Sequence, residues 1–233
     1  MRKLLIIIIF PLTLFGQSKD PNKILEAVKE KFEAVEDYEV DATIAVDVNF
    51  LRVPESKAKI YFKQPDKIKL DSEGFALLPK EGINFAPTKL LNANFSSIFV
   101  KSDTLQNHNV YVIKVIPLSD SADIILTTLW VDSKMSVIRK METTTKRNGT
   151  FEINLSYEES TYKFLPSEIR LTFSVREIQI PKAISGELND NENESAGRKK
   201  KKNKPMTGIV IVKYANYKIN QGLKDSFFEK EKR

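Results

Sequence analysis

Alternation between residues 38 and 70 is the feature that most restricts how this chain can fold. Val40, Ala42, Ile44, Val46, Val48 and Phe50 take the even positions; Glu39, Asp41, Thr43, Asp47 and Asn49 take odd ones, with small Ala45 among them. A strand sends successive side chains to opposite faces, so this segment predicts a long strand with one apolar and one wet face. After a turn at Pro54-Glu55-Ser56, Ala58, Ile60 and Phe62 face one way and Lys57, Lys59, Tyr61 and Lys63 the other. After Gln64-Pro65-Asp66, Ile68 and Leu70 alternate with Lys67, Lys69 and Asp71. Three consecutive two-faced strands predict an antiparallel meander. Its apolar face has to be covered or put to use.

Strands return at residues 110–116, 124–131, 136–146 and 150–157, the last two joined by Arg147-Asn148-Gly149, which holds the strong hairpin dipeptide Asn-Gly. Phe151, Ile153, Leu155 and Tyr157 then share a face, as do Ile169, Leu171, Phe173 and Val175 after Leu165-Pro166. A last strand is expected at about 208–219. Ahead of the meander, Asp20-Pro21 is an N-cap followed by proline at the first helical position. Ile24, Leu25, Val28, Phe32 and Val35 recur at helical spacing, so this amphipathic helix is placed to close the sheet's apolar face.

Residues 73–108 break the alternation yet carry Phe75, Leu77, Phe85, Phe95 and Phe99, with a short helical turn expected at 88–92. Such a segment either folds back to complete the core or forms a movable flap over a ligand cavity. Eight to eleven strands and one helix give a mainly β fold with α: a strongly curved antiparallel sheet. Its inner residues, Val40, Ile44, Val46, Ile60, Phe62, Phe151, Ile153 and Phe173, line the interior, with Phe75 and Phe95 added from the irregular segment. Core and cavity wall look the same at this level, because an interior of this kind is filled by side chains or left open for an apolar ligand.

Arg2 and Lys3 precede an apolar run from Leu4 to Phe15 and a small residue, Gly16, which is the pattern of a cleaved export signal over residues 1–16. The run is shorter than a bilayer span. Without Arg2 and Lys3 the formal charge of +6 becomes +4 for residues 17–233, read as a single exported domain. Cysteine is absent, which excludes disulfides, thiolate catalysis and lipidation at the cleavage point. His108 is the one histidine and sits in a polar turn, so neither a histidine metal site nor a familiar nucleophile motif is present. The expectation is a non-enzyme with no cofactor and no metal. Residues 186–205 lose all apolar periodicity and contain Arg198-Lys199-Lys200-Lys201-Lys202, read as a disordered charged loop. Lacking interleaved aromatics, that run does not indicate nucleic acid.

The order of these parts resembles the LolA/LolB-like periplasmic lipoprotein carriers, to which the RseB/MucB-type domains are related. The matching pieces are the signal, the helix around Ile24–Phe32, the strand from Tyr38, Ile60-Tyr61-Phe62-Lys63-Gln64-Pro65, Leu129-Trp130-Val131-Asp132 and the Asn148-Gly149 hairpin. The resemblance implies a half-open β-barrel closed by the N-terminal helix and a lid segment, with a cavity for lipoprotein acyl chains or another lipid. It implies a monomeric periplasmic carrier that receives cargo from an inner-membrane transporter and delivers it to an outer-membrane acceptor. Gln64 stands where the carriers have an arginine that contacts the lid, so a neutral amide takes the lid-contact position here. A lipid- or protein-binding sensor or envelope module of the same fold is the alternative.

Overall fold

Asp20 opens the first helix as its side chain predicts: its Oδ1 accepts from the Asn22 amide at 2.9 Å, and Pro21 follows at the first helical position. The computed structural model describes residues 19–48, 51–52, 54–72, 91–119, 122–146, 149–158, 164–175 and 206–229. Helix α1 is Pro21–Glu33. The strands are β1 Asp37–Val48, β2 Leu51–Arg52, β3 Ser56–Lys63, β4 Lys67–Ser72, β5 Phe95–Leu105 and β6 His108–Pro117. They continue with β7 Ile124–Asp132, β8 Ile138–Thr145, β9 Gly149–Ser156, β10 Glu168–Val175 and β11 Met206–Ile219, and a 3₁₀ turn at Asp225–Phe228 ends the described chain.

All strand pairings are antiparallel, in the order β4-β3-β1-β11-β10-β9-β8-β7-β6-β5, with β2 on β1. The early meander and the late one are therefore joined by β11, which inserts between β1 and β10. Among the described residues the sheet is not closed: β4 and β5 stand at its two ends. Along a flat sheet, β3 and β5 would lie eight strand spacings apart, about 38 Å. Helix α1, about 20 Å long, nonetheless touches both. Asn22 in its first turn takes a hydrogen bond from Ser97 on β5 at 2.6 Å, and Phe32 in its last turn meets Phe62 on β3 edge-on, with centroids 5.6 Å apart. The sheet must curl around the helix to allow this.

One part of the sequence reading is corrected. Residues 95–105, assigned to the irregular segment, form β5, a regular eleven-residue strand. A bulge between Phe99 and Lys101, together with the unbroken apolar run Ile98-Phe99-Val100, hides its alternation. Leu91 just before it is helical and buried. Phe75 and the rest of residues 73–90 lie outside the described residues, as do the export signal and the loop at 186–205. Among the described residues no helix is long and apolar enough to cross a membrane.

The lysines of β3 and β4 that the pattern gives to solvent are partly covered by the chain's own C-terminal segment. Phe227 packs edge-on against Tyr61 and lies under Lys69, whose ammonium is 4.0 Å from its ring centroid. Asp225 takes the ammonium groups of Lys63 and Lys67, each at 2.7 Å, and these hold its carboxyl down at about 2. A depressed folded value means the contribution is complete above the ordinary carboxylate range and is lost as pH falls through about 2. Hydrogen exchange of residues 223–229 is therefore expected to stay protected in mild acid and to rise only as pH approaches that value. Asp225→Asn is expected to expose the same amides at neutral pH; unchanged protection would show that the Phe227 contacts and the hydrogen bonds of Lys63, Lys69 and Asp37 to this segment hold it without the Asp225 carboxylate.

Candidate functional site

Register places one continuous apolar row across the inner face. Phe99, Ile113, Leu129, Met141, Ile153, Leu171, Val210 and Val46 are directly opposed, strand to strand, from β5 to β1. Opposed residues project to the same side of a sheet, so a single surface spans eight strands. The next row reads Val115, Thr127, Thr143, Phe151, Phe173, Gly208 and Val48. Thr127 and Thr143 are both buried and satisfy one another across it at 3.0 Å, which removes the cost of two hydroxyls in an apolar wall. Gly208 is small for a reason: a Cβ there would come within 2.4 Å of the Phe173 ring and 2.6 Å of Val48. The ring of Phe173 thus lies across the β11 backbone.

Where α1 finishes, Val28 and Phe32 line a small, partly open pocket of about 40 Å³ with Tyr38, Leu155, Ile169, Tyr214 and Tyr217. Burial holds the hydroxyls of Tyr38, Tyr157 and Tyr214 well above the usual tyrosine range. Tyr157 donates to the Ile138 carbonyl and Tyr217 to that of Pro166, both at 2.8 Å. This end is filled. At the other end Val46, Val48, Phe95, Met141 and Phe151 are half-buried, as are Phe32, Tyr38, Tyr157, Tyr214 and Tyr217 at the first, while Val115, Thr127, Thr143 and Phe173 are buried. The connection 73–94 leaves β4 and enters β5 toward that end, and β10 and β11 also open their connection there, where Val175 opposes Met206.

The residues picked from sequence as interior lining come together on this face. Val40, Ile44, Ile60, Phe62, Ile153 and Phe173 are buried in one cluster, and Val46, Phe95 and Phe151 pack against it half-buried. Phe62 sits under α1, stacked on Tyr38 with centroids 5.1 Å apart, which makes it part of the filled end. Phe75 lies outside the described residues. The amide of Gln64 donates to the carbonyls of Phe32 and Val35, at 3.3 and 3.2 Å, so it caps the C-terminal end of α1. Its contact with a lid concerns residues 73–90 and is not described. His108 is half-exposed at the β5–β6 turn, with Nδ1 3.5 Å from Asp132.

Sequence reasoning missed two polar devices that hold the frame. Asp132 is buried and accepts from the Lys134 and Met135 amides at 2.9 Å each and from Arg139 Nε at 2.6 Å. Burial pushes its carboxyl up, but these amides and the guanidinium outweigh burial and leave it below the usual range. Asp37 is buried at the start of β1, and its carboxylate accepts three backbone amides, from Gln221, Gly222 and Leu223. Asp132 ends the run Leu129-Trp130-Val131-Asp132, a signal that sequence supplied without a role; nothing in the pattern marked Asp37.

Compared by sequence, the chain matches no family model and no curated protein. Compared by fold, it is similar to solved structures over nearly their whole length. A DUF1329 family protein from Desulfovibrio piger shares 11% identity at a TM-score of 0.56, over 91% of this chain and 98% of that one. A putative outer membrane lipoprotein-sorting protein domain from Vibrio parahaemolyticus shares 10% at 0.56, over 90% and 97%. A LolA superfamily protein from Nitrosomonas europaea shares 12% at 0.55, over 91% and 99%. The order of helix, strands and hairpins read from the sequence thus resolves into a fold of the LolA-like kind.

Proposed function

We propose that this chain is an exported carrier that holds the acyl chains of lipoproteins, or another lipid, against the concave apolar face of its sheet and moves them toward the outer membrane. The observation that supports this best is the in-register apolar surface that runs across eight strands, with α1 packed over one end of it. The similar fold of a lipoprotein-sorting domain agrees with it. An acyl chain crossing water costs about 0.8 kcal/mol per exposed CH₂, so a multi-chain lipid needs a container of this sort. In this reading residues 1–16 direct export and are removed, and residues 17–233 act as one domain. The protein does no chemistry of its own. It takes lipid from an inner-membrane transporter and yields it to an outer-membrane acceptor.

The test is native mass spectrometry of the protein purified from an envelope fraction, followed by lipid extraction. A bound diacyl or triacyl species is expected. Phe151→Glu, at a half-buried position of this face, is expected to lower the bound lipid about tenfold, because a carboxylate among acyl chains is left without partners. Circular dichroism identical to that of the wild type separates lost binding from lost folding. A folded wild-type protein that yields no lipid would overturn the proposal, and capture of a signalling protein in its place would point to a sensor.

A further inference from the structure

Strand β11 is rich in β-branched residues, Ile209-Val210-Ile211-Val212, yet near its start a buried glycine, Gly208, stands on the inner face. A glycine inside a strand weakens it and marks a bulge, a bend or a close approach. Gly208 pairs in unbroken register with Val48 on one side and Phe173 on the other, so no bulge explains it. Its φ is not positive either, and the backbone there is open to any residue. The close approach is explicit. A Cβ at 208 would lie 2.4 and 3.0 Å from Cζ and Cε1 of the Phe173 ring and 2.6 Å from the Val48 methyl Cγ1. Strand side chains ordinarily stand roughly perpendicular to the sheet. Phe173 leans across to the next strand instead, so its ring lies along the inner face with the tip over Gly208.

We propose that Gly208 is a positioning residue that sets how long an acyl chain this face takes. A ring laid over a cross-strand glycine shields the backbone and pins the register, and that is its packing role. It also keeps the face low. Phe151, opposed to Phe173 on its far side, and Val48, beyond Gly208, are both half-buried, so the surface flanking the flat ring stays within reach of a ligand. With glycine at 208 an acyl chain passes over the ring. A Cβ there turns the ring upright, into the layer that the chain occupies, and the methylenes that would have passed it return to water. The atoms that meet the new Cβ are side-chain ends, not backbone, so the clash is relieved by a change of rotamer and the strand pairing survives. The inference rests on the carrier reading. It adds a residue that has no side chain of its own to offer the lipid and acts through Phe173.

The test compares the wild type with Gly208→Ala, each purified from the cell envelope, stripped of lipid and incubated with lauric, palmitic or stearic acid. Binding is read by native mass spectrometry. Gly208→Ala is expected to keep the circular dichroism of the wild type and its affinity for lauric acid. Its affinity for stearic acid is expected to fall about tenfold, as if about two methylenes were left in water. Adding Phe173→Leu, whose side chain ends short of the new methyl, is expected to restore stearic acid binding. A substitution that merely loosened the strand pairing would weaken the three acids alike, and that result would overturn the inference. So would a Gly208→Ala protein that does not fold, or a loss that Phe173→Leu leaves in place. A wild type that takes up none of the acids sinks the carrier reading and this inference with it. Uptake by the wild type with the same chain-length profile in Gly208→Ala sinks this inference alone.

Discussion

Arg139→Met is expected to destabilise the protein by about 3–5 kcal/mol, the cost of leaving one half of a buried ion pair without its partner. Both side chains are nearly inaccessible, 7% for Arg139 and 4% for Asp132, and the Nε···Oδ2 distance is 2.6 Å. Methionine fills the volume of the arginine stem, so the loss reports on charge more than on a cavity. Asp132 also accepts two amides of the β7–β8 turn, in which Ser136 has φ of 54°, so the variant weakens a turn as well as a pair. The guanidinium lies 5.6 Å from the Tyr157 ring, whose hydroxyl bonds Ile138, and this ties the turn to the filled end of the inner face. The pH dependence has a definite sign. The Asp132 carboxyl is held below its ordinary value, so its contribution is present above the ordinary carboxylate range and is lost as pH falls through the lowered value. Urea titrations at neutral pH should show the full loss, and the gap between wild type and variant should narrow in acid. The double variant Arg139→Met, Asp132→Asn should recover part of the stability, since no buried charge is then stranded. A neutral-pH loss under about 1 kcal/mol would mean that water reaches the pair and replaces the guanidinium.

What sequence made legible here, and what it hid, follows from how far each signal reaches. Val40, Ala42 and Ile44 alternate because β1 has one wet and one buried face, and that local fact survives in any tertiary setting. Asp20 and Pro21 mark the start of α1 through contacts two residues apart. The insertion of β11 between β1 and β10 has no such signal, because pairing partners about 170 residues apart leave no local pattern. The wet faces of β3 and β4 were read correctly as polar, yet Lys63 and Lys67 are engaged by Asp225, a partner that alternation cannot name. Strand β5 was concealed by its bulge and by the exposed aliphatics of its outer face. In the candidate site, periodicity found the inner residues but could not grade them. Phe62 and Phe151 look equivalent in sequence; α1 covers the first and leaves the second half-buried, and only the placement of the helix decides between them.

Asp37→Ala is expected to cost about 3 kcal/mol and to free the C-terminal segment from the sheet. Hydrogen bonds to a charged acceptor contribute about 1.5–3 kcal/mol each, and Asp37 accepts three amides at 2.8–3.0 Å. The total falls short of their sum because one group serves all three and because Gln221 and Gly222 are exposed enough for water to replace the carboxylate. The backbone is shaped for the contact. Asn220 at φ of 53° and Gly222 at 75° bend the chain so that three successive amides turn toward one carboxylate, and a side chain at Gly222 would be strained there. Asn220 reinforces the bend, since its side chain accepts from the Glu36 amide at 2.8 Å and donates to the Ala34 carbonyl at the end of α1. The clip therefore gathers the end of α1, the start of β1 and the segment that covers β3 and β4 at a single point. Loss of the carboxylate should loosen all three together. Urea unfolding should show the lower stability, and limited proteolysis should cut within residues 220–229 well before the sheet unfolds. Asp37→Asn, which keeps the shape and one acceptor oxygen, should fall between the two. A variant within about 0.5 kcal/mol of the wild type and equally resistant to protease would show that the β1–β11 pairing and the contacts of Asp225 and Phe227 with β3 and β4 hold this end of the chain without the clip.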